Sequence, residues 1–223
     1  ARRETGRRSR CLAQRWGACA SGSARTLQDQ APASAGVNGI LAEAETRLRR
    51  IQATFDTRPA VFVIGPASSS KTSTLLNCGI DAEPLAGQSS SGGKTVPTQL
   101  ANLMLMRDAI ALDASGAMLN DSTQWKQLLN RFRPRLRRKS GEAPRSALVC
   151  IPCEELMSGA EPAARLAQTI RARLDEATEA FGVRLPVYVL FTRTDRVPFF
   201  AEYVAGLTSQ EALDQVLGAS FPM

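Results

Sequence analysis

The densest chemistry in the chain lies in Gly65-Pro-Ala-Ser-Ser-Ser-Lys71-Thr72. These residues match the phosphate-binding pattern G-x-x-x-x-G-K-[ST] at its first glycine, its lysine and its hydroxyl residue, with Ser70 where the second glycine is expected. In such a loop the backbone N–H groups of Gly65, Ser68, Ser69 and Ser70, and of the helix turn opened by Lys71, Thr72 and Ser73, surround a β-phosphate. The Lys71 ammonium then reaches the β- and γ-oxygens, and the Thr72 hydroxyl ligates Mg²⁺. A Cβ at position 70 hinders close backbone approach and weakens phosphate binding.

Two further strings extend this chemistry. Leu112-Asp113-Ala-Ser-Gly116 has a D-x-x-G pattern, in which Asp113 holds the magnesium, usually through water, and the Gly116 N–H senses a γ-phosphate. Lys71 and Asp113 are therefore the candidate catalytic residues, and Thr72 and Asp113 the candidate metal ligands. Phe191-Thr192-Arg193-Thr194-Asp195 is a variant of the N/T-K-x-D base-reading string. There Asp195 accepts from guanine N1–H and N2–H₂, donors that adenine lacks, while Arg193, next to Thr192, lies along the base in place of lysine. Each string alone also reads as an ordinary polar turn. Their chain order, each directly after an apolar run, points to a nucleotide fold.

The elements that must position them follow from periodicity. Val37, Ile40, Leu41, Ala44, Leu48 and Ile51 repeat at helical spacing. Short runs at 60–64, 100–106, 109–113, 146–151 and 186–191 predict five strands, the first buried by its length and β-branched content. Helices are expected from 70 to 77, from an N-cap at Asp121 or Ser122 to Pro134, and from Pro162 at the first helical position to Gly182. Residues 86–95 read as a flexible polar loop. Strands alternating with helices predict an α/β three-layer sandwich with a mostly parallel sheet, of the P-loop NTPase, GTPase-like kind, whose ligands bind beyond the strands' carboxyl ends. Thr95 and Thr98 are candidate switch threonines for Mg²⁺ or a γ-phosphate; Trp125 reads as core.

Composition narrows the chemistry. The 223 residues contain no histidine, which removes Ser/His/Asp and Cys/His triads and histidine-ligated metals. The net charge of +7 is concentrated in residues 1–60, where eleven arginines face five carboxylates, so the remainder is nearly neutral and a nucleic-acid partner is not expected. Residues 1–36 read as a basic leader of low order, 37–56 as an amphipathic helix and linker, and 57–223 as the nucleotide domain, cut before its later elements. Five cysteines do not make a disulfide framework. Cys150 and Cys153 read as buried strand residues, with a zinc site completed by Cys11 and Cys19 as the remote alternative. No apolar run is long enough to span a membrane. The cluster Arg131, Arg133, Arg135, Arg137, Arg138 and Lys139 reads either as a solvated helix end or as a contact for anionic lipid head groups.

Taken together, Phe62-Val-Ile-Gly-Pro…Ser-Lys-Thr, Ala111-Leu-Asp-Ala-Ser-Gly116, Trp125…Leu128-Leu129…Arg133-Pro134 and above all Leu185-Pro-Val-Tyr-Val-Leu-Phe-Thr-Arg-Thr-Asp195, Phe199-Phe-Ala-Glu-Tyr203 and Leu217-Gly-Ala-Ser-Phe-Pro222 resemble one family. It is the N-terminal NTPase-like domain of IcmF/TssM, the large inner-membrane component of bacterial type VI secretion systems. The resemblance spans roughly residues 58–222 and departs from the family pattern at Ser70 and Arg193. It implies a domain on the cytoplasmic face of the inner membrane, anchored by segments outside this chain, with TssL- and TssJ-like proteins and baseplate components as partners and Mg²⁺ with ATP or GTP as ligand. Two roles are open: a nucleotide switch or slow NTPase regulating assembly, and a non-hydrolysing P-loop scaffold for protein contacts.

Overall fold

A six-stranded sheet forms because five apolar runs and one short polar edge segment pair side by side. In the computed structural model, residues 36–87, 90–91, 94–95, 98–138, 141–142, 145–208, 210–211 and 219 are described. The elements are α1 (Val37–Arg50), β1 (Ala60–Ile64), α2 (Lys71–Asn77), β2 (Ala82–Ala86), β3 (Ala101–Met106), β4 (Ile110–Ala114), α3 (Ser122–Phe132), β5 (Arg145–Pro152), α4 (Cys153–Met157), α5 (Ala160–Phe181), β6 (Val187–Thr192) and α6 (Phe200–Ala205). Their order across the sheet is β6-β5-β1-β4-β3-β2. β4, β1, β5 and β6 run parallel, with registers Ala60↔Ile110, Ala60↔Arg145 and Val187↔Ala147. β3 is antiparallel to both β4 and β2. This is the mostly parallel α/β sandwich expected from the alternation of strands and helices.

Side chains alternate across the strands, and the two faces take different cover. Phe62 and Ile64 of β1 enter a large core with Leu41, Ala44 and Leu48 of α1, Trp125, Leu128, Leu129 and Phe132 of α3, and Ile170, Ala177 and Phe181 of α5. The Phe62 ring lies 5.8 Å from Phe132, edge to face, and 5.0 Å from Phe181. Val61 and Val63 point the other way, into a smaller cluster with Leu75 of α2, Met104, Ala111 and Cys150. Each such large side chain withdrawn from water contributes about 1.5–3 kcal/mol, so the central strands are fixed in position and their carboxyl ends become a rigid platform. Trp125 is core, 1% exposed, and its indole N–H donates to Arg173 O at 2.9 Å.

Several boundaries differ from expectation. β2 was hidden because Pro84 interrupts its pattern; it is an edge strand with a register shift between Pro84 and Ala86, where proline is tolerated. Within the span read as a polar loop, Ala86 ends β2 and Ser90–Ser91 pairs antiparallel with Lys94–Thr95, while residues 88–89 and 92–93 lie outside the described residues. Ile51 falls just past the end of α1 and is 51% exposed instead of continuing its buried stripe. α5 opens at Ala160, two residues before Pro162, and Gly182 closes it with φ of 69°. Cys150 is a buried strand residue as expected, but Cys153 opens α4. β6 is the outer strand, and Val187 through Phe191 are 38–62% exposed. Six consecutive apolar positions look alike in sequence whether one or both sides are covered. The leader, Cys11 and Cys19 lie outside the described residues.

Candidate functional site

β1 delivers the chain into the Gly65–Thr72 turn, and α2 begins at Lys71 immediately after it. Gly65 sits against β5: a Cβ there would lie 2.3 Å from Cys150 O. Ser68 and Ser70 both adopt left-handed backbone, with φ of 59° and 58°. The position where the phosphate-loop pattern asks for glycine is thus the position whose conformation favours glycine. Ser69 is 1% exposed, and its carbonyl accepts from Thr192 Oγ1 at 3.0 Å, tying the end of β6 to the loop.

Lys71 folds back over the turn. Its Nζ donates to Gly65 O at 3.0 Å, Pro66 O at 2.8 Å and Ser69 Oγ at 3.3 Å. Burial pushes its pKa down, opposed by the negative charge of Asp113. Uncharged carbonyls and a hydroxyl of the loop itself therefore hold the ammonium. Beside it, Asp113 at the end of β4 is wholly buried, and its Oδ2 accepts from Thr72 Oγ1 at 2.5 Å, Thr98 Oγ1 at 3.1 Å and Asn102 Nδ2 at 3.4 Å. Its Oδ1 is buried with no hydrogen-bond partner among the described residues. Desolvation raises the Asp113 pKa, and the Thr72 bond and the Lys71 charge restrain the rise.

A buried carboxylate oxygen left unpaired is costly, and a hard divalent cation is the group that satisfies one. Asp113, Thr72 and Thr98 offer the oxygen donors that Mg²⁺ takes, so these residues fit that ion. Among the described residues no group of three or more His, Cys, Asp or Glu side chains could hold a metal by itself, which leaves room for ligands from a phosphate and water. A cavity of about 390 Å³ opens above this floor, lined by Ser68 through Ser73 with Thr98, Ser115 and Gly116 among others. Gly116 is pressed against the turn: a Cβ on it would lie 2.3 Å from Ala67 N and 2.5 Å from Ala67 Cα.

The third string is placed differently. Thr192 is buried against Ser69, but Arg193, with φ of 58°, pairs with Glu154 of α4 at 3.2 Å. Asp195 is 77% exposed at its side chain, 3.5 Å from Arg196. Thr192, Arg193 and Asp195 do not line the cavity.

Residues 119–223 match the family described as the IcmF-related N-terminal domain. The type VI secretion system component TssM1 of Pseudomonas aeruginosa is 33% identical over 176 residues, 74% of this chain and 15% of the relative. The chain belongs to the IcmF/TssM family. It spans 15% of the length of that TssM1 relative. Among solved structures, the ADP-ribosylation factor-like GTP-binding protein SAR1 of Encephalitozoon cuniculi, in complex with GDP, aligns over 73% of this chain and 82% of its own at 9% identity and a TM-score of 0.26; a likeness that low bears on neither ligand nor chemistry. No helix among the described residues is long and apolar enough to cross a membrane.

In this IcmF/TssM domain the structure brings together Gly65, Ser68, Ser69, Ser70, Lys71, Thr72, Asp113 and Gly116. Of the two candidate threonines, Thr98 reaches the cluster, while the Thr95 side chain lies outside the described residues. Sequence reasoning missed Asn102. It stands opposite Asp113 across the β3–β4 pair, is 2% exposed, and donates to Thr98 Oγ1 at 2.9 Å, fixing the direction in which Thr98 donates. An asparagine inside the otherwise apolar β3 run was the available signal, since a buried amide demands partners.

Proposed function

We propose that this IcmF/TssM domain binds a magnesium nucleoside triphosphate on the Ser68–Thr72 turn and uses it as a switch or assembly regulator within a type VI secretion complex. The observation that carries this reading is the buried Asp113 carboxylate, with one oxygen held by Thr72 and Thr98 and the other without a hydrogen-bond partner among the described residues. Thr72 and Asp113 would hold the magnesium, which when bound would supply positive charge against that of the phosphates. The chain's own contribution is positioning. The turn's N–H groups and the α2 N-terminus receive phosphate oxygens, Lys71 exchanges its loop carbonyls for those oxygens, and Gly116 N–H lies within reach of the same space. No glutamine or arginine among the lining residues is placed to orient an attacking water or to stabilise transition-state charge, so slow intrinsic turnover of ATP or GTP is expected. Arg193 and Asp195 would read the base only after Arg193 releases Glu154.

The domain would act at the cytoplasmic face of the inner membrane, with TssL- and TssJ-like proteins and baseplate components as partners. A second reading, a non-hydrolysing scaffold, is favoured by Ser70 in left-handed backbone and by a lysine already satisfied within its own loop. Titrating the protein with fluorescent GTP and ATP analogues in the presence of Mg²⁺ separates the two. Micromolar binding that disappears in Lys71→Ala is the expected result; a folded protein that binds neither analogue supports the scaffold.

A further inference from the structure

The end of the sheet opposite the nucleotide site has its own chemistry. α1 and α3 both run down to it, so their last turns lie together and point carbonyl groups and the negative ends of their dipoles at solvent. Arg49 and Arg50 end α1, Arg131 lies in the last turn of α3, and Arg133 and Arg135 follow in a 3₁₀ turn. That these turns meet is shown by Arg135, which pairs with Glu45 at 2.5 Å. Arg49, Arg50 and Arg131 are exposed, and their guanidinium groups have no ion pair or hydrogen bond among the described residues.

One exposed aliphatic side chain stands among these cations. Ile51, next to Arg50, is 51% exposed. Between the two helix ends lies a depression of about 200 Å³ with the buried Leu48, Ala53 and Phe55 at its base and Arg49, Arg135, Glu45, Asp56 and Thr54 around it. The arginines that stay free of carboxylates among the described residues, Arg50 and Arg131 above all, therefore carry the charge of the pole. Long guanidinium arms around exposed aliphatic carbon match the boundary between head groups and acyl chains. They do not match a base-stacking surface: the aromatic rings of this region, Phe55 and Phe132, are buried at 3% and 0% exposure, so no platform for bases is presented.

We propose that this pole, formed by Arg49, Arg50, Ile51 and Arg131, is a docking surface for an anionic phospholipid membrane. The nucleotide site, at the opposite ends of the strands, would then face away from the bilayer.

The test is co-sedimentation of the whole chain with phosphatidylcholine vesicles that lack or contain about one third phosphatidylglycerol, at about 0.1 M and 0.5 M salt. The variants are Arg49→Gln/Arg50→Gln/Arg131→Gln and a control, Arg165→Gln/Arg171→Gln, on the exposed face of α5. The basic residues 1–36 are present in every protein, so differences report the pole. Each arginine near an anionic surface is worth about five-fold in binding, so the triple variant is expected to lose ~100-fold on phosphatidylglycerol vesicles at low salt, with the control unchanged and melting temperatures equal. Equal binding by wild type and triple variant would overturn the proposal. So would binding that ignores phosphatidylglycerol, equal losses in both variants, or a short DNA duplex that displaces the vesicles and shows the same dependence on the three arginines.

Discussion

The loop leaving β1 and the loop leaving β6 both follow apolar strands, yet they are held in opposite ways. The first is enclosed: Gly65 touches Cys150, Gly116 presses on Ala67, and Lys71 spans Gly65, Pro66 and Ser69. The second follows an exposed outer strand, and past Thr192 its charged groups pair with the half-buried Glu154, for Arg193, and the exposed Arg196, for Asp195. A site for phosphate and metal charge must be preorganised, because its N–H groups and carboxylate cannot be rearranged at low cost once buried. A base-reading segment needs only to close on its ligand. On the proposed nucleotide reading, binding energy would come from the first loop and base selectivity from the second.

The strongest way to break this contrast is Gly116→Ala. A methyl 2.3 Å from a backbone nitrogen cannot be accommodated by rotating a side chain, so a loss of about 1–3 kcal/mol in chemical denaturation is expected, together with loss of nucleotide binding. Arg196→Ala, in the second loop, should stay within about 0.5 kcal/mol of wild type. If both changes were equally mild, the first loop would not be the rigid one.

Asp113→Asn removes a buried charge while keeping an acceptor for Thr72 and Thr98. Burial raises the Asp113 pKa above its ordinary 3.8, so the folded chain holds that proton to higher pH than the unfolded chain. Its contribution to stability is complete below the unfolded value and is lost as pH rises through the folded value. The variant should therefore match wild type near pH 4 and exceed it at pH 7 without ligand, by about 2–4 °C in melting temperature if the gain is ~1 kcal/mol. A gap that shrinks on going to pH 7 would show that Asp113 is stabilised as a carboxylate.

Smaller changes sharpen the comparison. Ser70→Gly should stabilise the protein by about 1 kcal/mol, relieving left-handed backbone, and tighten nucleotide binding; unchanged affinity with raised stability would favour the scaffold reading. Thr192→Val cuts the hydrogen bond to Ser69 O that links the two loops, and about 1 kcal/mol is expected in a denaturant series. Asp195→Asn should leave stability within about 0.5 kcal/mol and erase any preference for GTP over ATP.

The same contrast explains what the sequence made legible. β1, β4 and their loops could be read because burial on both faces leaves continuous apolar runs, and because Lys71, Thr72, Asp113 and Gly116 keep a fixed spacing from those runs. Asn102 and Thr98 could not be read with equal force. Their role arises from the β3–β4 register, which sets Asn102 opposite Asp113, and register between strands leaves no local signature. β2 was obscured by Pro84, and the exposure of β6 by a run whose composition is the same with or without cover.

The most direct test of the central claim is the magnesium linkage of nucleotide binding. The affinity of wild type and of Asp113→Asn for a fluorescent GTP or ATP analogue would be measured with Mg²⁺ and with chelator. Binding by wild type should tighten about ten-fold or more with Mg²⁺, the scale of one charge-assisted contact, while Asp113→Asn binds weakly and indifferently to the metal. Equal magnesium dependence in the two proteins would contradict a metal-bearing Asp113, and with it the phosphate site assigned to the first loop.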